Sequence, residues 1–488
     1  LAAARPIAVR PIPVKSKGDI PVVKEDEGTE EEPELITPLT VSPWLISTIV
    51  HIVLILVLAF IFFAPKLENV VDVEVVWAES IGEQLENDML DMGLNDPETT
   101  DAALSFDSKM VDDPLAAPPI LDITADSPGI TSDIAAPSIG LALTGREEGA
   151  KKALLAAYGG TATTEAAVEM GLDWLVKQQR SDGTWSLQGP YSGGATVDNV
   201  TSATAMALLA FQGHGDTPTK GKYKKTVDKG WKALLAMQDR DGNFVKESGF
   251  NQRLYAQAQA TIAICELYGM TKESRYAAPA ELAVQFALKA QAPEGGWRYQ
   301  PTVDSDTSVT GWFVMALQSA RMAKMEVPDS ALENIHKWLD SVSSQDGARY
   351  SYQRGREADE VMTAEAMLCR QYLGWKRNDP RMISGADFVS VHPLAYGAGS
   401  QNVYYWYYAT QFFHHMEGAY WTKWNSVMRQ AVPTEQVKSG AEKGSWSPSD
   451  DEWGPHGGRL YVTCLSIYML EVYYRHLPLY SGDAVRLE

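Results

Sequence analysis

Gln178-Gln179-Arg180-Ser181-Asp182-Gly183-Thr184-Trp185 ends one helical stretch and turns the chain back through an acidic residue, a glycine and an aromatic. The phrase returns as Gln238-Asp239-Arg240-Asp241-Gly242-Asn243-Phe244, as Gln291-Ala292-Pro293-Glu294-Gly295-Gly296-Trp297, and as Gln345-Asp346-Gly347-Ala348-Arg349-Tyr350. A period of roughly 50–60 residues marks a repeat architecture.

Each repeat holds two helices of different character. One is amphipathic: Leu332, Ile335, Leu339 and Val342 follow the spacing of a single buried stripe. The other is apolar or small nearly all round, as in Ala203-Thr204-Ala205-Met206-Ala207-Leu208-Leu209-Ala210, and a helix without a polar face belongs in a core. The all-round helices are expected near 201–213, 257–269, 307–320, 362–373, 401–416 and 460–475. The amphipathic ones are expected near 163–179, 220–238, 277–291, 328–344 and 419–430, with a sixth around 380–390. The expected fold is all-α: six hairpins closed into a double ring, an α/α toroid, over residues 151–480, with an unclosed superhelical solenoid as the alternative.

The Gln-x-x-Asp-Gly-x-Trp phrase resembles the QW repeat of squalene-hopene cyclases and related terpenoid cyclases. It is also similar to the toroid of protein prenyltransferase β subunits. The stretch Gly296-Trp297-Arg298-Tyr299 through Asp304-Ser305-Asp306-Thr307 to Trp312 adds to the likeness. The resemblance implies that the Gln caps neighbouring helix ends and that the aromatic stacks between repeats, which is a structural role. It also implies a cyclase acid at Asp304 and Asp306, although the family's Asp-x-Asp-Asp-Thr here lacks one Asp. The prenyltransferase zinc pattern is missing: there is no Asp-x-Cys, and Val462 stands where its late His would be. No metal and no cofactor is expected.

Parallel inner helices would open their N-termini on one mouth, with the long connections 180–200, 239–256, 292–306, 346–361 and 437–459 around it. That rim would carry Asp198, Asp304, Asp306, Asp359, Glu360, Asn402, His456 and Arg459. Unpaired N–H groups of six helix starts would favour an anion such as pyrophosphate. Asp306 is equally a helix N-cap candidate. Aromatics on the inner helices (Trp312, Tyr405, Trp406 and Tyr408) would line a ligand site for an isoprenoid-like lipid or a peptide, or simply fill the core. Ligand binding through these residues with Asp198, His456 and Arg459 is the expected function, and a divergent terpenoid cyclase is the alternative. Cys265, Cys369 and Cys464 sit in apolar helical runs without metal or redox spacing.

Residues 44–63 are uncharged and almost wholly apolar, about the length of helix that crosses a bilayer core. Arg5, Arg10, Lys15, Lys17 and Lys24 precede this span, and only Lys66 follows before Lys109. The bias predicts a cytoplasmic Pro-rich, charged tail over 1–43 and a C-terminal bulk outside a bacterial inner membrane. Ser47 and His51 lie one helical turn apart inside the span, and Val71-Asp72-Val73-Glu74-Val75-Val76 follows it. This segment resembles the anchor of TonB-type energy transducers, which implies a proton-driven motor protein contacting His51.

The net charge of −21 is uneven: residues 67–145 hold 17 acids and one base. Such a stretch, within an expected linker over 64–150, buries too little apolar surface to offset its ordering entropy. It reads as a disordered tether of about 50 Å typical reach. The rest of the chain is nearly neutral, which excludes a basic nucleic-acid surface. Residues 481–488 read as a tail.

Overall fold

The computed structural model describes residues 143–245, 249, 252–397, 401–477 and 479. Among them are thirteen α-helices. α1 (Glu148–Tyr158) precedes six pairs: α2 (Ala162–Gln178) and α3 (Val200–His214); α4 (Lys224–Met237) and α5 (Arg253–Thr271); α6 (Ser274–Ala290) and α7 (Thr307–Met322); α8 (Asp329–Ser341) and α9 (Glu360–Tyr372); α10 (Pro380–Ser390) and α11 (Val403–Met416); α12 (Gly418–Glu435) and α13 (Gly454–Arg475).

The odd-numbered helices from α3 form the inner layer. α3 packs on α5, α5 on α7, α7 on α9, α9 on α11, α11 on α13, and α13 returns to α3. The even-numbered helices lie outside them, and α12 meets α2 across the seam. The contact of α13 with α3 makes the domain a closed α/α toroid, not an unclosed spiral. Burial follows the two helix types. Every residue from Val403 to Met416 of α11 is buried, whereas α8 buries only Ala331, Ile335, Trp338 and Leu339.

The repeated phrase welds one outer helix to the next. Gln179 Nε2 donates to Gly183 O within its own turn and to Thr226 O on α4. Gln291 Nε2 does the same to Gly295 O and to Ala331 O on α8, and Gln238 Nε2 reaches Pro279 O on α6. Glycine is required in the turn for two reasons. Gly295 has φ 103°, and a Cβ there would stand 1.9 Å from Asn334 O of the neighbouring helix. The tryptophans tie the turn inward: Trp185 Nε1 donates to Leu175 O and Trp297 Nε1 to Ala287 O. An inner-helix side chain then receives each aromatic's backbone N–H: Thr204, Gln257, Thr310 and Thr363, spaced 53 residues apart, receive Trp185, Phe244, Trp297 and Tyr350.

Two features differ from the expected pattern. The fourth turn is a small antiparallel sheet of β1 (Ser343–Ser344), β2 (Arg349–Ser351) and β3 (Ala358–Asp359). Gln345, Asp346 and Gly347 all take positive φ there, and Arg349 Nη1 replaces the Gln by donating to Ser384 O of α10. In addition, the 3₁₀ turn Thr144–Arg146 and the start of α1 fall inside the stretch read as linker, with Leu143 and Arg146 buried.

Residues 44–63 with Ser47 and His51, and the tail 481–488, lie outside the described residues. Among the described residues no helix is long and apolar enough to cross a membrane.

Candidate functional site: an axial cavity at the C-terminal end of the inner ring

At the N-terminal end of the inner helices, the expected anion site is already occupied by the protein's own side chains. Asn199, Asp306, Asp359 and Asn402 cap α3, α7, α9 and α11, accepting from the N–H of Ser202, Val309, Met362 and Tyr405. Asp451 accepts from Val403 N as well. These four helix starts have little left to offer a pyrophosphate, while α5 and α13 begin without a side-chain cap.

Asp306 is fully buried. One oxygen takes Val309 N at 2.7 Å and the other takes the Tyr352 hydroxyl at 2.9 Å, with Arg298 Nε 3.4 Å away. Burial pushes its carboxyl up to about 7, against the pull of the Val309 N–H, Tyr352 and Arg298. Asp304 is half-buried and paired with Arg298 Nη1 at 2.6 Å. Deeper in, Tyr255 OH donates to Ser308 Oγ, Ser308 and Tyr404 share a 2.6 Å bond, and Tyr404 OH donates to Glu365. Glu365 is buried, which drives its carboxyl well above the ordinary value.

The remaining rim residues hold loops. Asp198 accepts from Ser186 Oγ and Leu187 N and pairs with Arg180. Arg459 is buried and donates to Ser192 O and Ser445 Oγ, joining the 180–200 and 437–459 connections. His456 is exposed, beside Trp453. Tyr405 faces the outer layer, its hydroxyl donating to Val389 O and His392 O. Trp406 packs on Tyr396 at 4.8 Å. Tyr408 lies edge-on to Trp312.

Trp312 is the candidate that reaches a hollow. It stacks on Tyr407 at 5.8 Å and lines a cavity of about 90 Å³ on the ring axis. All six inner helices contribute: Leu209, Ile262 and Glu266, Met315 to Met322 of α7, Tyr372, Tyr407 and His415, and Tyr468 and Arg475. Met322, Tyr372, His415 and Arg475 sit in the last turns of α7, α9, α11 and α13, so these inner helices run parallel and the cavity reaches from their middle to their C-terminal end. His476, Leu477 and Leu479 also line it.

A buried charge cluster forms one wall. Glu266 Oε2 accepts from Arg146 Nη1 at 2.7 Å and from Arg475 Nη2 at 3.3 Å, and Arg475 Nη1 pairs with Glu471 at 3.0 Å. Burial would push the Glu266 carboxyl up, but Arg146 and Arg475 outweigh it and hold it below its ordinary value. Glu471 has one arginine partner, and burial raises it to about 8. His415 is buried without a charged partner, which lowers it to about 3, so it is neutral. Among the described residues, both ring nitrogens of His415 and the Nε of Arg475 have no hydrogen-bond partner.

Sequence patterning does not single out this set. Its one signal is Glu266, a charge inside the apolar run Thr261–Leu267, because a fully buried acid requires a partner.

No protein-family model and no curated protein matches the chain. Solved structures with a similar backbone include the GH76A α-1,6-mannanase of Salegentibacter sp. HEL1_6, at 13% identity over 64% of this chain and 98% of that one, TM-score 0.45. Type II terpene cyclase MstE from Scytonema, bound to geranylgeranyl dihydroxybenzoate, is similar at 12% identity over 64% and 97%, TM-score 0.43. A glycoside hydrolase family 76 mannosidase from Bacteroides thetaiotaomicron VPI-5482 is similar at 10% identity over 64% and 98%, TM-score 0.43. The closed ring rests on its own helix contacts, and these likenesses assign no substrate.

Proposed function

We propose that this chain is a ligand-binding α/α toroid, held at a membrane by residues 44–63 and displayed outside the cytoplasm on an acidic tether. The observation that carries the binding reading is the axial cavity, lined by the aromatics Trp312, Tyr407 and Tyr468 and by His415 and Arg475, which hold unpartnered polar atoms. A mostly apolar hollow with a few convergent polar groups is the usual form of a small-molecule site. At about 90 Å³ it is several times the space that a single water needs, which suits a short chain or the tip of a longer lipid or peptide. The anchor and its orientation rest on hydropathy and on the Lys and Arg bias.

The test is a fragment screen by ligand-observed NMR on the full chain, beside a Met315→Trp variant that fills the cavity. Binders lost in the variant support the reading. A screen in which no binder responds to cavity filling overturns it.

A divergent terpenoid cyclase is the second reading. It is favoured by one observation, a fully buried Asp306 whose carboxyl burial pushes up to about 7. Such an acid must face the alkene that it protonates. Asp306 instead faces Val309 N, Tyr352 and Arg298, and the cavity lining does not include it. Turnover of squalene or a prenyl diphosphate by the full chain, lost on Asp306→Asn, would favour this reading. Ser47 and His51 extend the membrane reading to a proton-driven motor partner. Co-purification of a proton-channel complex, abolished by His51→Ala, would support that extension, and an unchanged complex would end it.

A further inference from the structure

We propose that the axial cavity takes a short-chain monocarboxylate, with its anionic end on Arg475 Nε and His415 and its hydrocarbon end between Met315, Trp312 and Tyr407. This rests on the ligand-binding reading above and names the chemical class. The first argument is the supply of donors. Arg475 is buried; its Nη1 is engaged by Leu209 O and Glu471, and its Nη2 by Glu266, which leaves Nε–H without a partner among the described residues. His415, also buried, lines the same hollow with neither ring nitrogen bonded, and a neutral imidazole presents one further N–H. A buried donor without a partner carries an uncompensated desolvation cost, so two such donors lining one hollow favour an acceptor.

The second argument is charge. Arg146 and Arg475 are opposed by Glu266, whose Oε2 bonds both of them. Glu471, the remaining acid, stays largely protonated near neutral pH because burial raises it to about 8. Of these groups, Arg475 and Glu266 line the hollow. Arg475 is a cation whose remaining N–H bonds an anionic acceptor more strongly than a neutral one, and an ammonium group has no acceptor to offer it. The third argument is shape. Met315, Trp312 and Tyr407 give the hollow apolar surface for a few methylenes.

The experiment is isothermal titration calorimetry of the full chain in detergent at pH 7 with butyrate, butyramide and n-butylamine. Butyrate is expected to bind at least tenfold more tightly than butyramide, with no binding of the amine. His415→Phe, which keeps a ring and removes both nitrogens, is expected to weaken butyrate about tenfold. Butyramide or butylamine binding as tightly as butyrate would overturn the carboxylate assignment and leave the binding site standing. No heat from any of the three, together with no effect of Met315→Trp in the fragment screen, would remove the site itself and leave only buried waters. The wild-type comparison decides the proposal even if a variant fails to fold.

Discussion

Gln436 Nε2 donates to the carbonyl of Ala167 at 2.8 Å, joining the last outer helix to the first across 269 residues of chain. The same amide donates to Gly444 O within its own turn, and Trp446 Nε1 donates to Val432 O. The seam of the ring is thus closed by a fourth copy of the Gln–Gly–aromatic device. Gln436→Leu removes both bonds and is expected to lower unfolding free energy by about 1–3 kcal/mol. Amide exchange should rise selectively in α2 and α12. Equal rises around the ring, or none, would show that the bond does not hold the seam.

The Glu266 carboxylate sits between two buried arginines from opposite ends of the described chain, Arg146 and Arg475. Glu266→Gln leaves both cations short of a counter-charge, and breaking a buried pair from one side typically costs about 3–5 kcal/mol. Urea denaturation of the variant should shift by an amount in that range. A loss below about 1 kcal/mol would mean that the cluster is hydrated and not sealed.

Much of the ring is legible in the sequence because its period is carried by short-range chemistry. Gln179, Gln238 and Gln291 each stand six residues before their aromatic, so the eye finds them. Gln436 escapes because Trp446 follows ten residues later, across a longer loop. The outer helix α10 is the hardest to place, and the structure supplies the reason. Where Asp306 and Asp359 are followed four residues later by Thr310 and Thr363, Asn402 is followed by Trp406, which packs on Tyr396 and leaves no hydroxyl for a turn N–H. The cavity is less legible still. Its charged wall is assembled from Arg146, Glu266 and Arg475, which are 120 and 209 residues apart, and no local pattern links them. The choice of mouth also turns on tertiary detail, since the caps at Asn199, Asp306, Asp359 and Asn402 are what consume the helix starts.

Gly311 on α7 faces Glu365 on α9 so closely that a Cβ would stand 2.0 Å from the Glu365 carboxylate. Gly311→Ala is therefore expected to cost about 1–3 kcal/mol through overpacking, despite alanine's better helix propensity. Adding Glu365→Ala should relieve the clash. A double-mutant cycle should then show a coupling of at least about 0.5 kcal/mol, with the double variant more stable than the sum of the singles predicts. Additive effects would place the cost of Gly311→Ala elsewhere.

Asp306 gives stability a pH dependence whose sign follows from its burial. Its carboxyl titrates near 3.8 when unfolded and at about 7 when folded, held up by burial with Asp304 adding to it and Val309 N–H, Tyr352 and Arg298 opposing. The folded state therefore keeps a proton that the unfolded state releases between these values. Its contribution is fully present below about pH 4, falls as pH rises to about 7, and is flat above that. The rise from 3.8 to about 7 corresponds to on the order of 4 kcal/mol at most. Asp306→Asn keeps an oxygen for the Val309 cap and carries no charge. Its melting temperature relative to wild type should climb from pH 4 to pH 7 and then level off. A difference that is constant across that window would mean that Asp306 stays ionised, in which case Arg298 compensates its charge fully.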